Sequence, residues 1–206
     1  MMQYAEGTNF LSVWSTHSRT SQDIALSHVG DLSQFTPPVS IPSQYILASS
    51  LPLPPAKDTL IDLDTPDEEA IRSLIMGIVH RTLGDFPTSR TFFEDAVDRH
   101  SQVTCSTWVG GIALFELAVL DLKEVEAEER AGKLSSEFGE DEMSLVGVKR
   151  WEQAIEGATM KLDKAANLSG KDVDLSSRLD TRIMMLKDEM TLKREMLKGS
   201  TTPRLE

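Results

Sequence analysis

The sequence predicts an all-α chain, and three observations carry that expectation. After Thr65, apolar residues recur at helical rather than alternating spacing. Thr65-Pro66-Asp67-Glu68 reads as a capping box, in which the threonine hydroxyl accepts from the Glu68 amide and the Glu68 carboxylate reaches back. Small residues (Gly77, Ser89, Ala96) stand where two helix backbones must approach, and Leu74, Phe86 and Phe93 fill the space between them.

Before Thr65, serine, threonine and proline are abundant and charge is sparse. Pro37-Pro38, Pro42, Pro52 and Pro54-Pro55 prevent any long helix between them. Residues 1–35 are expected to be mostly irregular, with a short helix around Gln22 to Val29 and with Phe10 and Trp14 as anchors. The apolar stretch Tyr45 to Leu53 reads as extended chain lying against a neighbouring surface. From Pro66 a helix is expected to about Leu83. Pro66 suits the first helical position, Asp67, Glu68 and Glu69 suit the helix dipole, and Gly84 supplies the turn. A second helix runs from about Phe86 to Arg99, with Pro87 tolerated in its first turn. A third starts near Thr107 and carries Trp108, Ile112, Phe115, Leu117, Val119, Leu120 and Leu122 around most of its circumference, so it should be central. It is expected to fray by Gly132, before an acidic inserted loop over Leu134 to Val146. A fourth helix, Val148 to Leu168, carries a seam of Ala154, Ala158, Leu162 and Ala165, and Gly170 ends it. The last, Leu175 to Leu197, sets Leu175, Leu179, Ile183, Leu186, Met190 and Leu197 on one stripe with charges opposite, as a solenoid's closing helix does. The chain therefore divides into an irregular N-terminal segment (1–59), a helical repeat domain (60–198) and a disordered tail (199–206).

From Gly77, the steps to Ser89, Phe93 and Ala96 match the small, small, aromatic, small order of a tetratricopeptide unit. The first unit spans Pro66 to about His100. The second pairs the Trp108 helix with the Trp151 helix across the acidic insertion, in a looser match. About two tetratricopeptide-like hairpins and a capping helix fall short of the three or more units that stacked repeats need. One helix face should seek cover from the N-terminal segment, a second copy in a homo-oligomer, or further repeats. Such units form interaction surfaces, and their first helices line the concave side. The candidate partner-binding residues are therefore Ile71, Leu74, Ile78, Arg81 and Thr82, with Ile112, Phe115, Val119 and Leu122. The second set is so apolar that a helix or extended peptide, from this chain or a partner, is expected to fill the groove.

Composition narrows the function classes. The 206 residues carry a formal net charge of −12, so binding driven by phosphate neutralisation is disfavoured, and nucleic acid is not an expected partner. Cys105 is the single cysteine, which rules out an intrachain disulfide and points to a reducing compartment. The first residues have no basic and apolar pattern of a secretory signal, and no run of apolar residues is long enough for a transmembrane segment. Cytoplasmic placement is the default expectation. No metal, cofactor or catalytic set is expected. His17, His28, His80 and His100 are scattered, and His80 reads as a packing residue between helices. No base neighbours Cys105 in sequence, and Pro66 spoils a calcium loop over Asp62, Asp64 and Asp67. Gly110-Gly111 reads as close helix packing. The Glu124-to-Glu129 cluster reads as a solvated face, with a strip for a basic partner as the alternative. Two other function classes remain open: a generic repeat scaffold for another complex, and a peripheral lipid-surface protein using Tyr45 to Leu53 or the final helix.

Four segments, in order, also resemble a family. They are Asp62-Leu63-Asp64-Thr65-Pro66-Asp67-Glu68-Glu69-Ala70-Ile71-Arg72, the Gly77-to-Phe93 unit, Phe115-Glu116-Leu117, and Ser176-Ser177-Arg178-Leu179. Together they are similar to the C-terminal part of the fungal inclusion body clearance proteins, related to animal tetratricopeptide repeat protein 39, over roughly Leu60 to Leu197. The resemblance implies a cytosolic, non-enzymatic factor, possessing no cofactor, that helps clear inclusions of misfolded protein under folding stress. The partners it implies are lipid-droplet proteins and misfolded-protein factors, with a nuclear or droplet-associated pool beside the cytoplasmic one.

Overall fold

The computed structural model describes residues 21–48, 63–132, 140–168 and 174–200, with side chains over 21–46, 63–132, 146–168 and 178–198. Its regular elements are α1 (Gln22–Ser33), α2 (Gln44–Ala48), α3 (Pro66–Thr82), α4 (Phe86–Asp98), a 3-10 turn (Arg99–Gln102), α5 (Trp108–Arg130), α6 (Glu140–Leu168) and α7 (Asp174–Ser200). The all-α expectation holds for every one of them.

Local chemistry sets the helix ends. At α3, Glu68 N–H donates to Thr65 Oγ1 at 3.3 Å and Thr65 N–H donates to Glu68 Oε2 at 3.1 Å, which is the capping box the sequence spells. Gly84 ends that helix at φ +79°, where a side chain would be strained, and Asp85 Oδ1 then caps α4 by accepting from Thr88 N–H at 3.3 Å.

Cross-helix contacts give the direction of α3, α4, α5, α6 and α7. Ser89 Oγ donates to the Gly77 carbonyl at 2.7 Å, Ser73 Oγ to Asp95 Oδ2 at 2.5 Å, and Arg99 pairs with Glu69, so α3 and α4 are antiparallel. Lys161 with Asp121 and Arg150 with Glu128 make α5 and α6 a second antiparallel pair. Arg90 of α4 joins the pairs by reaching Asp121 and Glu124 of α5, each at 2.8 Å. The first helices of the pairs run parallel. Asp67 and Arg81 of α3 meet Ser106 and Glu116, and Glu116 and Glu129 of α5 meet Arg182 and Lys193 of α7. α7 thus stands third in the rank α3, α5, α7, and packs on α5 and α6.

α5 is the central helix, as its apolar circumference requires. One core runs from Ala70 and Phe93 through Val109 to Val125 and on to Trp151, Leu162, Leu186 and Met190. A second cluster joins Ala25 and Val29 of α1 to Met76, Val79 and Phe92, with Tyr45 and Ile46 of α2 packed against it.

Several expectations change. α1 runs to Ser33, beyond Val29, because Leu32, one turn on, also packs against the cluster that buries Ala25 and Val29. Residues 44–48 are helical, where extended chain was expected, since α2 can seat Tyr45 and Ile46 on the second cluster between Pro42 and Pro52. Within the segment 1–59, α1 and α2 are helical, while residues 34–43 between them are irregular, as expected. α6 begins at Glu140, inside the expected loop, because nothing from Glu140 to Val146 breaks a helix. α7 continues through Ser200. Phe10, Trp14, Gly170, the rest of the inserted loop and residues 201–206 lie outside the described residues.

Candidate functional site

The candidate partner-binding residues fall along the parallel helices α3 and α5, but they do not line an open groove. Leu74, Arg81, Phe115, Val119 and Leu122 are buried, and Ile71, Ile78, Thr82 and Ile112 are half-buried. The occupant belongs to this chain. α7 brings Leu179, Ile183, Leu186 and Met190 into the same core as Phe115, Val119 and Leu122. Replacing Phe115 or Val119 with aspartate would therefore break the core rather than report on a partner.

Polar contacts lock α7 in that place. Glu116, 2 % exposed, receives Arg81 Nη1 on Oε2 at 2.5 Å and Arg182 Nη2 on Oε1 at 3.1 Å, forming a ladder across α3, α5 and α7. The Arg182 guanidinium also lies 4.2 Å from the centre of the Phe115 ring, and Lys193 Nζ lies 4.2 Å from the Trp151 ring. Lys187 reaches Asp163 of α6 at 2.6 Å.

His80 packs between helices. It is fully buried, stacked on Phe92 at 5.2 Å and tilted against Tyr45 at 5.7 Å. Neither ring nitrogen has a hydrogen bond. Asp85 Oδ2 is 3.4 Å from Nδ1 but outside bonding geometry, and burial lowers the imidazole pKa. Gly110 packs closely, as expected, since a Cβ there would stand 2.6 Å from the His100 ring. Asp67 ties α3 to the loop before α5: its carboxylate accepts from the N–H groups of Thr104, Ser106 and Cys105 at 3.0, 2.5 and 2.9 Å. These bonds hold its pKa down at about 2. Cys105 sits exposed in that loop. No group of three or more His, Cys, Asp or Glu able to hold a metal lies among the described residues, and no described helix is long and apolar enough to cross a membrane.

Three open surfaces stand out among the described residues, one of them a groove of about 440 Å³ between Glu152 and Glu156 of α6 and Arg194, Leu197 and Lys198 of α7. A groove of about 380 Å³ between α4, α5 and α6 has Leu114 and Leu117 at its floor, Glu94 and Asp98 on one wall, and Lys161 and Lys164 on the other. The outer side of α7 exposes Met184, Leu192 and Met196 at 59 %, 58 % and 51 %. Sequence reasoning treated that side as a charged face. The missed signal was a second apolar series in α7, Met184, Met185, Leu192 and Met196, interleaved with the charges. No family model, curated protein or solved structure matches this chain.

Proposed function

We propose that this chain is a non-enzymatic protein-interaction module of tetratricopeptide-like hairpins, serving the role its family resemblance implies. That role is cytoplasmic clearance of misfolded-protein inclusions, carried out with lipid-droplet proteins and misfolded-protein factors. The observation that supports the module reading is the parallel rank of α3, α5 and α7, tied by Arg81, Glu116 and Arg182, with apolar residues exposed on the last member. The resemblance carries the clearance role.

Proximity labelling of the tagged chain in its own cells, with and without folding stress, tests both parts. Stress-dependent enrichment of droplet and misfolded-protein factors is expected. Enrichment of an unrelated complex would keep the scaffold reading and remove the clearance role, and background labelling alone would remove both.

The exposed methionines and Leu192 of α7 favour one second reading, a peripheral lipid-surface protein. Flotation of the pure chain with protein-free droplets would select that reading, and sedimentation away from them would reject it.

A further inference from the structure

α7 repeats on its outer side the face that α5 turns to α6. On α5, Asp121 and Glu128 stand seven residues apart, and α6 answers them with Lys161 at 2.5 Å and Arg150 at 2.9 Å. On α7, Asp188 and Glu195 stand at the same interval. Because α5 and α7 run parallel, with Glu116 on Arg182 and Glu129 beside Lys193, the two acidic pairs fall within about one helical turn of each other in height. At the shift that superposes the acidic pairs, Leu117 and Val125, buried on α5, correspond to Met184 and Leu192, exposed on α7. Asp188 and Glu195 are exposed and meet no basic side chain among the described residues. The first pair has one contact of the same sense, since Arg99, just after α4, reaches Glu69 of α3. Among the described residues, no segment returns along the outer face of α7 with cations for its two carboxylates.

We propose that the outer face of α7 docks an amphipathic helix of a partner protein, antiparallel to α7, in the place a third hairpin's second helix would take. The partner helix carries an apolar or alanine-rich seam and two basic residues about three turns apart, the spacing of Arg150 and Lys161 on α6. Charge decides between occupants. A second copy laid antiparallel on α7 brings like flank to like flank and sets Asp188 against Glu195. An anionic lipid surface meets the same two carboxylates. A basic-edged helix meets neither obstacle. This inference rests on the repeat reading proposed above.

The test is fluorescence anisotropy of the full chain with a labelled synthetic helix repeating residues 148–168. Saturable binding is expected, with affinity falling about tenfold or more in the Asp188→Lys, Glu195→Lys double variant. A peptide bearing Arg150→Glu and Lys161→Glu should regain binding to that double variant. Circular dichroism melting checks that each variant keeps its fold, which the exposure of both positions favours. Absent binding to the unaltered chain, or equal affinity in the double variant, overturns the proposal. So does a dimer in sedimentation that Leu192→Asp returns to monomer, which would assign the face to a second copy. Vesicle flotation on phosphatidylcholine with phosphatidylserine, lost in Leu192→Asp, would assign it to lipid. If proximity labelling still names partners while the peptide fails, the docking inference falls alone.

Discussion

Glu116 shows how much one residue organises. Its carboxylate is enclosed between two guanidiniums from different helices, so removing it strands the buried Arg81 charge and releases Arg182. Glu116→Ala is expected to cost about 3 kcal/mol in urea unfolding, because an uncompensated buried cation is left behind. Arg182→Ala, at the exposed end of the ladder, should cost about 1 kcal/mol. Two other residues give pH dependences of opposite sign. The unfolded chain protonates His80 near its ordinary 6.5, while the folded chain resists, so the folded state loses stability as pH falls below about 6.5. The variant His80→Leu should flatten that acid-side slope, read from urea midpoints against pH. Glu189 behaves in reverse. Its Oε2 is enclosed without a partner, and burial pushes its carboxyl up to about 7 from 4.5. The folded state therefore holds a proton that the unfolded state has shed, and stability is lost as pH rises from 4.5 through 7. Glu189→Gln should stabilise the chain by about 1 kcal/mol at about pH 8, after discounting for solvent screening, and leave it unchanged near pH 4.

At the scale of the element, closeness of helix approach decides the sign of a substitution. A Cβ on Gly77 would stand 2.5 Å from the Phe93 ring, which is held in the core. Gly77→Ala should therefore cost about 2 kcal/mol despite the better helix propensity of alanine. Gly157, within α6, offers ordinary contact instead, with Asp121 Oδ2 at 3.5 Å. Gly157→Ala should gain about 0.5–1 kcal/mol from propensity alone, and thermal midpoints of the two variants should move in opposite directions. The spacing of small residues that announced the first hairpin was legible because Ser89 and Gly77 meet across a turn of few residues, where local chain geometry leaves little choice. The length of α6 was less legible. An acidic stretch resembles a loop in composition, and only the absence of a breaker before Gly147 marks it as helix.

At the scale of the whole molecule, two apolar clusters divide the cooperativity. The larger spans α3 to α7, while α1 and α2 join through the smaller cluster around Met76, Val79 and Phe92. Hydrogen exchange should accordingly find α1 and α2 opening at lower free energy than α5, and equal protection would show one indivisible unit. The sequence by itself determined the helix starts at Thr65 and Asp85, the turn at Gly84, the central position of α5 and the antiparallel pairing of α3 with α4. Each of these rests on caps, periodicity and short connections, all of which act within a few residues. Tertiary structure alone decided that α7 fills the file of Phe115, Val119 and Leu122, that α1 and α2 cover Phe92 and His80, and that Met184 and Leu192 face outward. Those outcomes depend on which of two apolar faces a helix buries. That choice is made by the shape and charge of a surface assembled from distant segments, here Glu116 held between Arg81 of α3 and Arg182 of α7.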